Sequence, residues 1–199
     1  MDKTSVQKLA RVLRVLVIIT FVCNVLALLL VPMMAYMYGE MSVGEMVDWG
    51  IEDLTYLLGV KSTPRYYFPF AMMFFCSWLV VWTDVYMAVL TVFLWFCGIC
   101  TAIILWQAKR VLDTILKGEP FTLSNAVSLK RAAVCCFVIS GAALIRLIWG
   151  FVTYQSILPL LTYNALFVPI FLMAGLVCMV MSALFRQAAE LKAENDLTI

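Results

Sequence analysis

The chain has 199 residues, of which 65% are hydrophobic and only 13% charged, with no histidine and a net charge of +2. A soluble domain carries about a quarter charged residues, so this composition and a mean hydropathy of +1.01 exclude one. The small net charge offers nothing for direct binding of nucleic acid, and without histidine the commonest metal ligand and general base is missing.

What remains is an integral membrane protein. Only helices and closed barrels satisfy every backbone group in lipid, and the long apolar runs lack the alternation of barrel strands. The fold class is therefore all-α: a single membrane domain over residues 1–199. The seven cysteines (Cys23, Cys76, Cys97, Cys100, Cys135, Cys136 and Cys178) all lie in apolar segments. They read as small buried hydrophobes rather than a disulfide framework.

In chain order, Lys3, Lys8, Arg11 and Arg14 precede the first apolar run. That run is too long for a signal peptide and shows no cleavage site. It is a first span, about 15–37, whose basic flank belongs in the cytoplasm. An outer region, 38–84, follows with Glu40, Glu45, Asp48, Glu52 and Asp53 against Lys61 and Arg65. Within it Ser42 and Glu45 form a capping box. Val47, Ile51, Leu54 and Leu58 recur at helical spacing up to Gly59. The pattern predicts an outer amphipathic helix over 43–58.

From Tyr66 to Trp106 the only charge is Asp84. One continuous helix of that length would reach ~60 Å, about twice the hydrocarbon core. The next segment, 107–131, carries Lys109, Arg110, Lys117, Lys130 and Arg131 against Asp113 and Glu119. Two crossings would put this basic elbow outside, against the positive-inside bias, and no tight-turn signal stands near Asp84. One crossing is expected, about 85–106. The surplus, Tyr66–Thr83, is expected to pack against helix 43–58. The third span is about 132–153, an outer turn carries Gln155 and Pro159, and the fourth span is about 162–185, kinked at Pro169. A helical tail, 186–199, has Phe185, Ala188 and Leu191 as a narrow apolar stripe. Arg186–Glu190 and Lys192–Asp196 are potential i,i+4 pairs. Eleven of the fourteen Lys and Arg residues then fall inside, and both termini are cytoplasmic.

The elbow reads KGEPFTLSN. Gly118 suits the left-handed position that ends a helix, Pro120 prevents restart, and Thr122 or Ser124 can cap the next helix. Phe121 lacks a turn-chemistry reason. It either packs under the C-terminal helix or binds another protein.

This elbow, the following LKR and the terminal ELKAENDLTI resemble a family of small bacterial four-helix integral membrane proteins classed as a domain of unknown function. The match covers about residues 85–199. It rests on a G-x-P-F-[ST] elbow and a terminal E-N-D-L-T-[IV] tail. The resemblance implies four spans in the bacterial inner membrane. It also implies frequent encoding beside small helix-turn-helix regulators, hence a regulatory role, and it carries over no catalytic residue. The expected cytoplasmic interaction residues are Gly118, Pro120, Phe121, Glu194, Asn195 and Asp196.

Other readings compete. Asp84 and Arg146 are charges in apolar runs, where ionisable residues commonly pair or serve a function. Alternatively Asp84 sits at the headgroups and Arg146 snorkels. Cys97 and Cys100 form a C-x-x-C that resembles those of membrane thiol oxidoreductases, but residues 38–65 and 153–164 hold no cysteine and buried thiols are inert. Asn24, Ser140, Gly141, Gly150 and Gly175 suggest close helix packing and bonds across helices.

The first reading is thus a non-enzymatic membrane protein, with no cofactor and no metal. It contacts the bilayer and holds or releases a small cytoplasmic regulator. The alternatives are a small transporter, channel or immunity-type protein acting as a homo-oligomer, and a thiol oxidoreductase.

Overall fold

The computed structural model describes residues 3–40, 51, 59, 70–155, 160 and 163–196. Among them are five helices and no strand: α1 (Lys3–Glu40), α2 (Phe70–Val80), α3 (Val85–Leu116), α4 (Leu123–Tyr154) and α5 (Tyr163–Asp196). The predicted amphipathic helix over 43–58 lies outside the described residues, Ile51 apart, and so does Pro159.

Four of the helices, described over 30 to 32 residues, each contain an 18-residue run with a mean hydropathy of 2.1 to 2.8. At ~1.5 Å per residue these reach ~45 Å, well past a ~30 Å hydrocarbon core. The chain is a multi-pass membrane protein with four helices long and apolar enough to cross. Pro32 and Pro169 lie inside α1 and α5 without ending them, as neighbouring helices allow in membranes.

The chain divides into two compact units, Met1–Val25 with Phe96–Ile199, and Leu26–Trp95. In the first, α4 and α5 pack as an antiparallel pair. Contacts run in opposite chain order from Phe121 with Phe185, through Ser182 Oγ donating to the Ala126 carbonyl at 2.7 Å, to Arg146 with Asn164. The seam is made of small residues. Ala126, Ala133, Cys136, Ser140 and Ala143 recur on one face of α4 and are buried, which lets the backbones approach. Gly175 of α5 completes it, because a Cβ there would come within 2.8 Å of Cε1 of Phe137. Ser140 Oγ bonds across to the Val168 carbonyl at 2.9 Å, as expected of a polar residue in a span. Two expectations of this kind fail. Gly141 faces open space, and buried Asn24 Oδ1 has no hydrogen-bond partner among the described residues.

Still within the first unit, the start of α1 lies beside the end of α3. Arg14 Nε stands 2.7 Å from Asp113 Oδ1, an ion pair without the alignment of a hydrogen bond. Both side chains are about a third exposed or more, so solvent screens it and its energetic weight is small. Its value is topological. Phe21 meets Trp106 two turns further along α1, with ring centroids 5.9 Å apart, so the two helices are antiparallel. Two crossings between residues 66 and 106 would have made them parallel. The start of α1, the elbow and the end of α5 therefore share one end of this unit.

The second unit holds α2. It has 11 residues, ~16 Å at the helical rise, half of what a crossing needs. Trp78 and the adjacent Trp82 pack on Trp95 at 5.4 and 6.2 Å between ring centroids, and Trp95 Nε1 donates to the Leu28 carbonyl at 3.0 Å. Val81 is buried with Ala35 and Leu90. The contacts described for this apolar surplus are thus with α1 and α3.

Candidate functional site

The elbow is built by turn chemistry. Gly118 has φ +84°. Its N–H bonds the Ile115 carbonyl at 3.1 Å, and the Glu119 N–H reaches back to Thr114 at 3.1 Å. These are the paired bonds of a Schellman ending with glycine at C′. A Cβ on Gly118 would meet nothing within 4 Å, so backbone conformation alone demands glycine. Gly118→Ala is expected to cost about 1–2 kcal/mol, the strain of an L-residue held left-handed. Asparagine, which tolerates that region, should recover much of it. Unfolding midpoints in SDS–detergent mixed micelles would order glycine above asparagine above alanine.

Thr122 is the cap of the next helix. Its φ and ψ are −127° and 147°, and its side chain accepts the Asn125 N–H. Just past these two punctuations, in the first turn of α4, lies Asn125, which the sequence reading did not single out. It is 1% exposed. Its Nδ2 donates to Thr114 Oγ1 at 2.6 Å and to the Pro120 carbonyl at 2.7 Å. One amide thereby ties the end of α3, the turn backbone and the start of α4. An asparagine two residues beyond a helix start is the signal that could have been noticed, because such side chains bond nearby backbone.

The elbow rests on the last helix. The Phe121 ring lies 5.6 Å from Phe185, and Ser182 bonds the first turn of α4. Phe121 nevertheless stays 49% exposed, beside Leu123 at 56% and Val127 at 49%. Further along α5, Arg186 Nε bonds Glu190 Oε1 at 2.9 Å, Leu191 is exposed, and Glu194 and Asn195 stand at the surface. The side chain of Asp196 lies outside the described set, and with it the expected Lys192–Asp196 pair. Gly118, Pro120 and Phe121 thus share one end of the first unit with the end of α5.

Of the two charges in apolar runs, Asp84 belongs to the second unit. It caps α3, accepting the Tyr86 N–H at Oδ1 (2.9 Å) while its carbonyl takes the Ala88 N–H (3.0 Å). It is exposed, and a carboxylate also suits the positive end of the helix dipole. Arg146 belongs to the first unit, where its Nη1 donates to Oδ1 of buried Asn164 at 3.2 Å. Asn164 went unremarked in the sequence because nothing there shows that 146 and 164 meet.

All seven cysteines are free thiols, and Cys97 and Cys100 are buried. The Cys100 thiol lies close to Cys135 on α4, a juxtaposition only the helix pairing reveals. Among the described residues no group of three or more His, Cys, Asp or Glu could hold a metal ion.

A family model described as a protein of unknown function (DUF2975) matches residues 61–199. The match starts ahead of residue 85, where the elbow-and-tail resemblance begins, and so takes in α2. No curated protein and no solved structure matches the chain.

Proposed function

The chain belongs to the DUF2975 family, and from that premise we propose that it is a non-enzymatic protein of the bacterial inner membrane that holds or releases a small cytoplasmic regulator. The observation that carries this reading is the apolar surface at the elbow. Phe121, Leu123 and Val127 are about half exposed ahead of the third span, beside the last helix. Exposed apolar clusters rimmed by polar groups mark interaction sites, and the polar residues that flank this one in sequence, Lys117, Glu119, Lys130 and Arg131, are all exposed. The positive-inside bias puts this end in the cytoplasm. A helix-turn-helix protein is the partner that the resemblance of elbow and tail favours. Regulation follows if a signal at the opposite end or in the bilayer shifts α5 against the elbow. Phe121 would then leave Phe185 and change what the partner can grip.

The test is co-purification of the tagged full-length chain in mild detergent. Wild type is expected to retain a cytosolic regulator, and Phe121→Glu to lose it by about tenfold or more, the scale of an interface anchor, while still inserting in the membrane. Repeated recovery without a cytosolic partner would reject the reading. So would reaction of Lys117 with a membrane-impermeant reagent on intact cells, which would put the elbow outside.

A further inference from the structure

The first unit carries one feature that the elbow does not use. A groove of about 230 Å³ opens along α1 and α3, lined by Val17, Ile18, Phe21, Leu105, Trp106 and Lys109. Its long walls are apolar, and Phe21 and Trp106 meet within it. At one end stands a cation, Lys109, with Nζ 4.9 Å from the Trp106 ring centroid.

The residues beyond that end are charged. Arg14 lies one turn before Val17 and Ile18, and Asp113 one turn after Lys109, with the two paired at 2.7 Å. That pairing takes up the Asp113 carboxylate next to Lys109. Lys8, Arg11 and Arg110 add exposed positive charge. The groove therefore runs from hydrocarbon-like surface to a cationic mouth over about two helical turns. Its walls reach the bilayer, since Ile18 and Trp106 are 38% and 48% exposed.

We propose that this groove binds an anionic phospholipid, with an acyl chain lying along Val17, Phe21 and Trp106 and the headgroup phosphate meeting Lys109. Charge complementarity selects the occupant. A neutral lipid would fill the apolar walls equally well but would leave the ammonium facing a zwitterion. Basic pockets between transmembrane helices take anionic headgroups for this reason, and the flat Trp106 face holds the lysine chain over the site by a cation–π contact. The proposal rests on the membrane-spanning fold alone and not on the regulator reading.

The full-length protein in phosphatidylcholine nanodiscs, doped with one minor lipid brominated on its acyl chain, tests it. The difference in tryptophan quenching between wild type and Trp106→Phe isolates the groove. Brominated phosphatidylglycerol is expected to quench Trp106 about fivefold more effectively than brominated phosphatidylcholine at the same mole fraction, the selectivity one interfacial lysine supplies. Lys109→Ala should abolish that preference and Lys109→Arg should retain it. Equal quenching by the two lipids would overturn the proposal, as would a preference that survives Lys109→Ala. Quenching that depends on the protein-to-lipid ratio would also overturn it, by identifying a second copy of the chain as the occupant.

Discussion

Asn125→Ala is expected to lower stability by about 2–4 kcal/mol, more than any other single change at the elbow. The estimate adds two lost hydrogen bonds, each net about 1 kcal/mol, to the cost of leaving the Pro120 carbonyl unsatisfied in a buried site. The shortened side chain also leaves a small void where the residue is 1% exposed. Thr114 keeps one bond, its own hydroxyl donating to the Val111 carbonyl at 2.7 Å, so the damage centres on the turn backbone. Asn125→Asp should be at least as harmful. A carboxylate cannot donate to Pro120, and burying it unpaired carries its own penalty. The neighbouring Ser124 is exposed, and Ser124→Ala should stay within about 0.5 kcal/mol, as surface changes usually do. SDS–detergent unfolding midpoints and protease cleavage within 117–122 would read all three. Equal behaviour of Asn125→Ala and Ser124→Ala would mean that the amide does not hold the elbow.

Gly175→Val should destabilise the α4–α5 pair by about 1–3 kcal/mol, the usual cost of overpacking. Two effects oppose one another. Replacing a helical glycine by a residue with a side chain recovers up to about 1 kcal/mol of helix propensity. Against this, even the first added carbon would stand 2.8–2.9 Å from the Phe137 ring, and a ring on a packed seam cannot swing away like the end of a flexible chain. Overpacking wins. The decisive measurement is a double-mutant cycle with Phe137→Ala, which removes the obstacle. The double variant should be more stable than the sum of the two losses by about 1 kcal/mol or more. Strict additivity would show that Gly175 and Phe137 do not oppose each other in the folded state.

These two residues mark where sequence reasoning stops. Gly118 could be placed at a helix ending because the demand for positive φ is local. The same holds for Thr122, although a cap at Ser124 stayed open until the Thr122 bond to the Asn125 N–H was seen. Asn125 sits three residues from Thr122, yet its main partner is eleven residues away on another helix, and no local pattern reports that. Phe121 shows the intermediate case. An aromatic at a turn apex implied a partner, and the partner proved to be Phe185. Gly141 and Gly175 looked alike as small residues in spans, and only one of them has a neighbour at contact distance.

Composition and charge by themselves determined the all-helical membrane class, the four helices long and apolar enough to cross, and the chemistry of the elbow. Apolar length, basic flanks and turn residues each act through a few neighbouring positions or through the solvent. Tertiary structure alone decided that Arg146 meets Asn164, that Cys100 meets Cys135, and that α2 leans on Trp95. In lipid, an apolar helix face is equally content against hydrocarbon or against another helix, so hydropathy cannot say which faces meet. The choice falls to shape and to a few hydrogen bonds across the seam.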